Sequence, residues 1–297
     1  MAAGASELRA HATRKDTGER SLSIFQAIAM MVTALYAVPM LYIVLVALTP
    51  NGEWIGSWPS RFDLSNFSNA FLSADFLRFF LNSAVVAIGC TILQVLLSCA
   101  AGYALAMLPI RGRGLMMLLL IALLVVPPEV SIVPLFVMVS HFPLAGGNDL
   151  FGLGGQGLLN TLPGIMVPHI VSALAIFLMR QFYISLPHEL GDAARVDGAG
   201  EFRIFFEIYT PLVKPAVAVV GVFAFQSAWN DFIWPLVTTS SNDLRTLQLG
   251  LTVFFQENST QWNLLMAAVL SISVPIVMMF LLIQRYFQEG ALAGAIK

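Results

Sequence analysis

The chain has 297 residues, of which 58% are hydrophobic and 11% charged, and its formal net charge is −2. A soluble domain carries about 25% charged residues, so this composition excludes an ordinary water-soluble fold. The slight acidic balance excludes a nucleic-acid binder, whose phosphate contacts need an excess of Lys and Arg.

Residues 1–20 mix Arg9, Arg14, Lys15 and Arg20 with Glu7, Asp16 and Glu19 and read as a solvated, disordered cytoplasmic tail. A cleaved signal peptide does not fit, because the apolar region that follows is too long and lacks a small-residue cleavage site. Ser21 to Gly52 carries no charge, enough for one helix of about 20 residues across a bilayer core. The next loop holds Trp54 and Trp58 beside Arg61 and Asp63, and tryptophan suits a membrane interface. A second uncharged stretch runs from Phe79 to Ile110. Ser98, Gly102 and Ala106 recur within it every four residues, a face small enough for another helix to approach closely. The same stretch contains both cysteines, Cys90 and Cys99, too far apart along one helix to bridge and read as buried small apolar residues.

Arg111-Gly112-Arg113 makes a basic turn before a third span, about Leu115 to Val139, which Pro127-Pro128-Glu129 and Pro134 should break or kink. The loop from Phe142 to Gly157 is rich in glycine, but no Gly-Lys dipeptide occurs in the chain. A phosphate-cradling P-loop is therefore excluded, and a flexible or tightly turning connection is expected. A fourth span covers about Leu158 to Leu178, a fifth Pro215 to Val237 and a sixth Leu264 to Ile283, with a tail from Gln284 to Lys297.

Between the fourth and fifth spans lies the longest charge-rich segment, residues 186–215. Ser185 and Pro187 suit the start of a short helix. Asp197-Gly198 should end it, since glycine accepts the left-handed conformation. A second helix from near Gly200 would place Phe202, Phe205, Phe206 and Tyr209 on one apolar stripe. The product is a helix-turn-helix elbow with an aromatic face that needs a partner.

Asp192-Ala193-Ala194, three residues, Gly198, nine residues, Ile208, one residue and Thr210-Pro211 resembles the signature loop of permease subunits of bacterial ABC importers. That loop is written Glu-Ala-Ala, three, Gly, nine, Ile, one, Leu-Pro. Asp192 and Thr210 depart from it, while the spacing agrees throughout. Arg195-Val196-Asp197-Gly198-Ala199, Ala228-Trp229-Asn230-Asp231 with Pro235-Leu236, and the ending Gln284-Arg285-Tyr286-Phe287 are similar to the carbohydrate branch, typified by the smaller permease of the maltose importer. The resemblance covers roughly residue 77 to the end, with a family core of about 77–285.

It implies an all-α polytopic membrane protein of six transmembrane helices, the type I ABC importer permease fold, with the elbow as a cytoplasmic coupling helix. The residues it assigns to ATPase coupling are Asp192, Ala193, Ala194, Arg195, Asp197, Gly198, Ala199 and Phe202. The partners it implies are a homologous sister permease, two P-loop ATPase subunits that hold ATP and Mg, an extracytoplasmic solute-binding protein and membrane lipid. The loop from Thr238 to Gln261 is similar in placement to one that reaches the binding protein, and Gly290 to Lys297 resembles a tail that contacts the ATPases. No cofactor, metal or catalytic residue is expected in this chain, because it has no nucleotide motif.

Independently of that resemblance, six spans would place 12 of the 15 Lys and Arg on the side of both termini and the elbow, which makes that side cytoplasmic in a bacterial plasma membrane. Ionisable groups inside a membrane are costly and face a wet cavity or the protein interior. Glu129, Gln226, Asn230 and Asp231 therefore read as hydrogen-bonding partners for sugar hydroxyls, with Trp229 or Trp234 as an aromatic platform. A helix-to-helix clamp or gate is the competing reading for Asp231, and His169 reads as a satisfied packing residue. Asn258-Ser259-Thr260 matches a glycosylation pattern, read as chance in a bacterial chain. Two other classes compete. A secondary transporter would need no such elbow and would show inverted repeats. An intramembrane enzyme would need a pair such as Ser172 and His169 with an orienting group. Among importer cargoes, sugars, polyols and glycerol phosphodiesters stay open.

Overall fold

The computed structural model describes residues 3–295 apart from 54, 55, 57, 74 and 256–259, with side chains described between residues 24 and 284. The readings on Trp54, on Asn258-Ser259 and on Lys297 lie outside the described residues. Helix α1 runs Ala3–Ala47, so the polar stretch expected as an irregular tail continues the first span as helix. Its Ala, Glu, Arg and Lys are strong helix formers, and they extend an existing helix without a new nucleation step.

Within α1, Ile24–Ala47 is long and apolar enough to cross a membrane, as are α3 (Phe76–Met107) and Trp262–Gln284 of α14 (Trp262–Ala295). Three further spans are bent pairs. The first, α4 (Arg113–Val125) with α5 (Ile132–Ser140), bends by 101° through a 3-10 turn at Pro128–Ser131. Pro127 is forced extended by the proline after it, and Pro128 cannot continue the hydrogen-bond ladder, so the expected break is observed. The second, α6 (Leu162–Ile170) with α7 (Ala173–Ile184), bends by 44°. Thr161 caps α6 and Ser172 caps α7. Counting each bent pair once gives six spans.

The elbow follows as α8 (Glu189–Val196), α9 (Glu201–Arg203), a π-turn over Ile204–Tyr209 and α10 (Thr210–Leu212). The third bent pair turns through 83° from this elbow into α11 (Lys214–Trp229). After a break at Asn230–Phe232 the fifth span continues as α12 (Ile233–Thr238). α2 (Ser65–Leu72) and α13 (Leu247–Gly250) are short loop helices. Asn66 of α2 gives its amide to the carbonyls of Ala47 and Thr49, satisfying the end of α1, and accepts from Asn263 of α14.

α3 is the axle. The face Ser98, Gly102, Ala106 is buried against α7, and a Cβ on Gly102 would lie 2.7 Å from Met179 Cβ, so only glycine lets the two backbones approach this closely. The buried residues form two cores. One gathers Phe76, Val86, Cys90, Trp229, Trp234 and Phe254 with α14, and the other gathers Cys99, Tyr103, Met179, Tyr183, Tyr209 and Val220 near the elbow. Both cysteines are free and buried, one in each core. Large apolar side chains of α1 and α4 point outward, as lipid-facing helices require. The glycine loop is tightly turned: Asn148 bonds the carbonyls of Ser140 and Phe142 and accepts from Gly155 N.

Candidate functional site

Three of the helix breaks converge. Pro128-Glu129, Val171-Ser172 and Asn230-Asp231 all line one cleft of about 820 Å³, whose floor includes Gln94 of α3 and Val220 of α11. Backbone that leaves the helix at membrane depth is tolerated only where it is covered by protein or lines a wet cavity. The bends and the cleft are therefore one feature.

Four of the five sequence-predicted path residues, Glu129, Gln226, Asn230 and Asp231, line this cleft. Trp229 does not. It is 2% exposed, stacks on Phe225, meets Phe80 edge-on and donates Nε1–H to the Ile272 carbonyl, so it belongs to the core. One residue later the helix breaks, and Asn230 turns into the cleft instead. Trp234 borders the cleft but is buried, with its indole N–H on the Gly164 carbonyl.

Asp231 proves to be a clamp. Its Oδ2 lies 2.9 Å from His169 Nε2, and its Oδ1 accepts from Trp234 N at the start of α12. The other His169 nitrogen, Nδ1, is 3.3 Å from Ser227 Oγ. A neutral ring with its proton on Nε2 satisfies all three groups, donating to the carboxylate and accepting from the hydroxyl. α6 and the α11–α12 break are thus pinned across the cleft. Ser172, meanwhile, is occupied as a helix cap, and His169 is turned to another partner, so the imagined Ser172–His169 pair is not formed. Among the described residues no His, Cys, Asp and Glu cluster could hold a metal ion.

The elbow is the second feature. Gly198 has φ +82°, its N–H reaches the Arg195 carbonyl and the Ala199 N–H reaches Ala194, the paired bonds of a left-handed helix stop. Asp197 N likewise bonds Ala193 O, so every residue from Ala193 to Ala199 takes part in closing α8 except Val196. Ser185 ends α7 rather than starting α8, because its hydroxyl bonds back to the Phe182 carbonyl.

Across the turn, Arg195 reaches Glu201 with Nε at 2.7 Å from Oε1 and also pairs with Asp192 at 2.8 Å. Glu201 in turn accepts from Tyr103 of α3 at 2.9 Å. The Arg195 guanidinium beside it holds the Glu201 carboxyl below its ordinary value, and the Arg195 pKa is raised in return, chiefly by its bond to Glu201. Tyr209 completes the tie, donating to the Pro187 carbonyl and accepting from Gly191 N.

The expected aromatic stripe is split. A π-turn carries more residues per turn than an α-helix, so Ile204, Phe205 and Tyr209 point inward while Phe202 and Phe206 face out, 84% and 56% exposed. With Val196, 87% exposed, they leave apolar surface on the outside of the elbow. Glu201, Tyr103, Tyr209 and His169 as a clamp were not evident from sequence. Arg195 and Glu201 sit six apart across a left-handed turn, and helical spacing pairs only residues three or four apart.

The family of binding-protein-dependent transport system inner membrane components matches residues 94–291. The arabinooligosaccharides transport system permease protein AraQ of Halalkalibacterium halodurans is 34% identical, covering 87% of this chain and 90% of that protein. The sn-glycerol-3-phosphate transport system permease protein UgpE of Yersinia pestis is 31% identical over 91% of this chain and 96% of its own length. A chain of a bacterial ABC transporter involved in the import of the acidic polysaccharide alginate has the same fold, with a TM-score of 0.75 at 22% identity over 91% of this chain and 98% of that one.

Proposed function

Since the chain belongs to the binding-protein-dependent transport system inner membrane components, we propose that it is the permease subunit of an ATP-driven importer that carries a carbohydrate across a bacterial inner membrane. The single observation that carries this reading is the elbow: a glycine-closed helical hairpin with an unpartnered apolar face, tied by charge and aromatic contacts to the axle of the span bundle. Relatives named for arabinooligosaccharides, alpha-glucosides and lactose support a sugar as cargo.

In this reading two ATPase subunits bind ATP and Mg, close on each other and push the elbow, with Asp192, Ala193, Ala194, Asp197, Gly198, Ala199 and Phe202 at or beside the contact. Arg195 holds the hairpin together, and Glu201 with Tyr103 passes the displacement to α3. The cleft is this chain's half of the path, completed by a sister permease. A binding protein delivers cargo from outside, and both termini and the elbow lie in the cytoplasm. Energetically the spans are a two-state element whose equilibrium a ligand on another chain biases.

Purification from mild detergent, with co-purifying chains identified and ATP hydrolysis measured against a sugar panel, tests this. A P-loop ATPase, a second permease and sugar-dependent hydrolysis are the expected yield. A chain that purifies alone and transports in liposomes without ATP would restore the secondary transporter.

A further inference from the structure

Most polar groups around the cleft are already paired. Asp231, His169 and Ser227 hold one another, and Asn230 accepts from Gln248. Four are not: Glu129, Ser131, Gln226 and Gln94 line the cleft, and none of their side chains makes a hydrogen bond or ion pair among the described residues. Gln94 stands apart from the other three, because it is only 5% exposed while they are exposed. Its amide atoms are not among the fully buried unpaired ones of the described residues, which are Ser98 Oγ, Tyr183 OH, Thr210 Oγ1 and Thr246 Oγ1. The largely covered side chain therefore opens its amide to the cleft, where a ligand or ordered water can complete it. The amide offers two donors and one acceptor. That set matches adjacent hydroxyls of a sugar ring, each of which both gives and takes a proton.

Charge narrows the class. The cleft contains the carboxyl groups of Glu129 and Asp231 and is lined by no Lys or Arg. Asp231 faces His169, while Glu129 faces the open space without a counter-ion. An anionic ligand brought beside Glu129 would meet repulsion in a medium that screens it poorly.

Resting on the importer reading above, we infer that Gln94 is a cargo-contacting residue, that Gln226 and Glu129 complete its site, and that the site takes uncharged, hydroxyl-rich sugars and rejects uronates and sugar phosphates. Gln94 belongs to α3, the helix that also receives Glu201 through Tyr103, so cargo contact and elbow displacement act on one rigid rod.

The test uses the whole complex in proteoliposomes, with its binding protein and ATP, and a panel of neutral disaccharides (lactose, melibiose, cellobiose) beside digalacturonate and glycerol 3-phosphate. The expected cargo is a neutral sugar. Gln94→Leu, nearly the same size, should slow its import about tenfold through loss of one or two hydrogen bonds. The same substitution should leave the melting temperature of the complex equal or higher, because the amide it removes bonds no other described residue; a packing role would lower it. Wild-type import rates in Gln94→Leu, a slowed rate accompanied by a lowered melting temperature, or a preference for digalacturonate or glycerol 3-phosphate would overturn this inference while leaving the importer intact. Absence of any ATP-dependent import by the wild-type complex would instead strike at the importer reading itself.

Discussion

At the scale of single residues, Gly198 and Glu201 set the shape of the elbow. A Cβ at Gly198 would meet nothing within 4 Å, so a substitution there acts through the positive φ and through the surface it presents. Gly198→Ala should cost about 1 kcal/mol in stability from the left-handed backbone alone. Gly198→Asp tolerates that backbone better but places a charge where the ATPase would dock. It should abolish hydrolysis stimulated by the loaded binding protein while membrane insertion stays normal, as measured by fractionation and ATPase assay. Normal stimulation would count against coupling through this loop.

Glu201 gives a pH signature. Its folded pKa is depressed by Arg195, so the stabilisation it adds is present above the ordinary carboxylate range and is lost as pH falls through the depressed value. The pair is roughly half exposed, which limits the effect to at most about 1 kcal/mol. Hydrogen-exchange protection factors of residues 189–204, corrected for the intrinsic pH dependence of exchange, should fall over that acid range in wild type and already be low, without the pH step, in Glu201→Gln. An unchanged profile in the variant would mean the bridge does not hold the hairpin.

Among the elements, glycine decides how near helices come. Gly102→Leu should force α3 from α7 and cost about 1–3 kcal/mol, read as a lower melting temperature in detergent. Gly221→Ala should be neutral or stabilising, because its new methyl meets Thr91 and Val95 at an ordinary 3.9 Å. Equal effects would refute the distinction.

The same elements explain what could be read in the chain beforehand. The break at Pro127-Pro128 was legible because proline acts on its own backbone and on the residue before it. The packing face at Gly102 was legible because it repeats at helical spacing. The π-turn was not, since one extra residue in a turn is chosen by what packs beneath it, and that moved Phe202 and Phe206 outward. Trp229 was misplaced for a related reason: the break falls just after it, and a shift of one residue separates core from cleft. The polar residues before Ser21 carry helix-forming and disorder-like compositions at once, and an attached helix tips that balance. Gln94 gave no sign at all, as one amide in an uncharged run.

For the molecule as a whole, the distribution of Lys and Arg between the two sides of the spans sets the orientation. With the elbow in the cytoplasm, Arg61→Cys should react with a membrane-impermeant maleimide on intact cells, and Arg111→Cys only after permeabilisation. Cys90 and Cys99 are buried and should stay silent in both experiments. The opposite labelling pattern would invert the topology.

Among the described residues, the two cores share only α3 and α11, and the cleft opens where one core gives way to the other. Away from those two shared helices, each half can accumulate substitutions without forcing repair in its neighbour. On the importer reading proposed above, a lineage that changes its sugar supplier outside the membrane need not alter the surface that would meet its motor, and the reverse also holds. Gene fragments exchanged between relatives near the middle of α3 and of α11 would join halves that were already packed, so on that reading new pairings of cargo and motor would arise by recombination rather than by slow coordinated mutation.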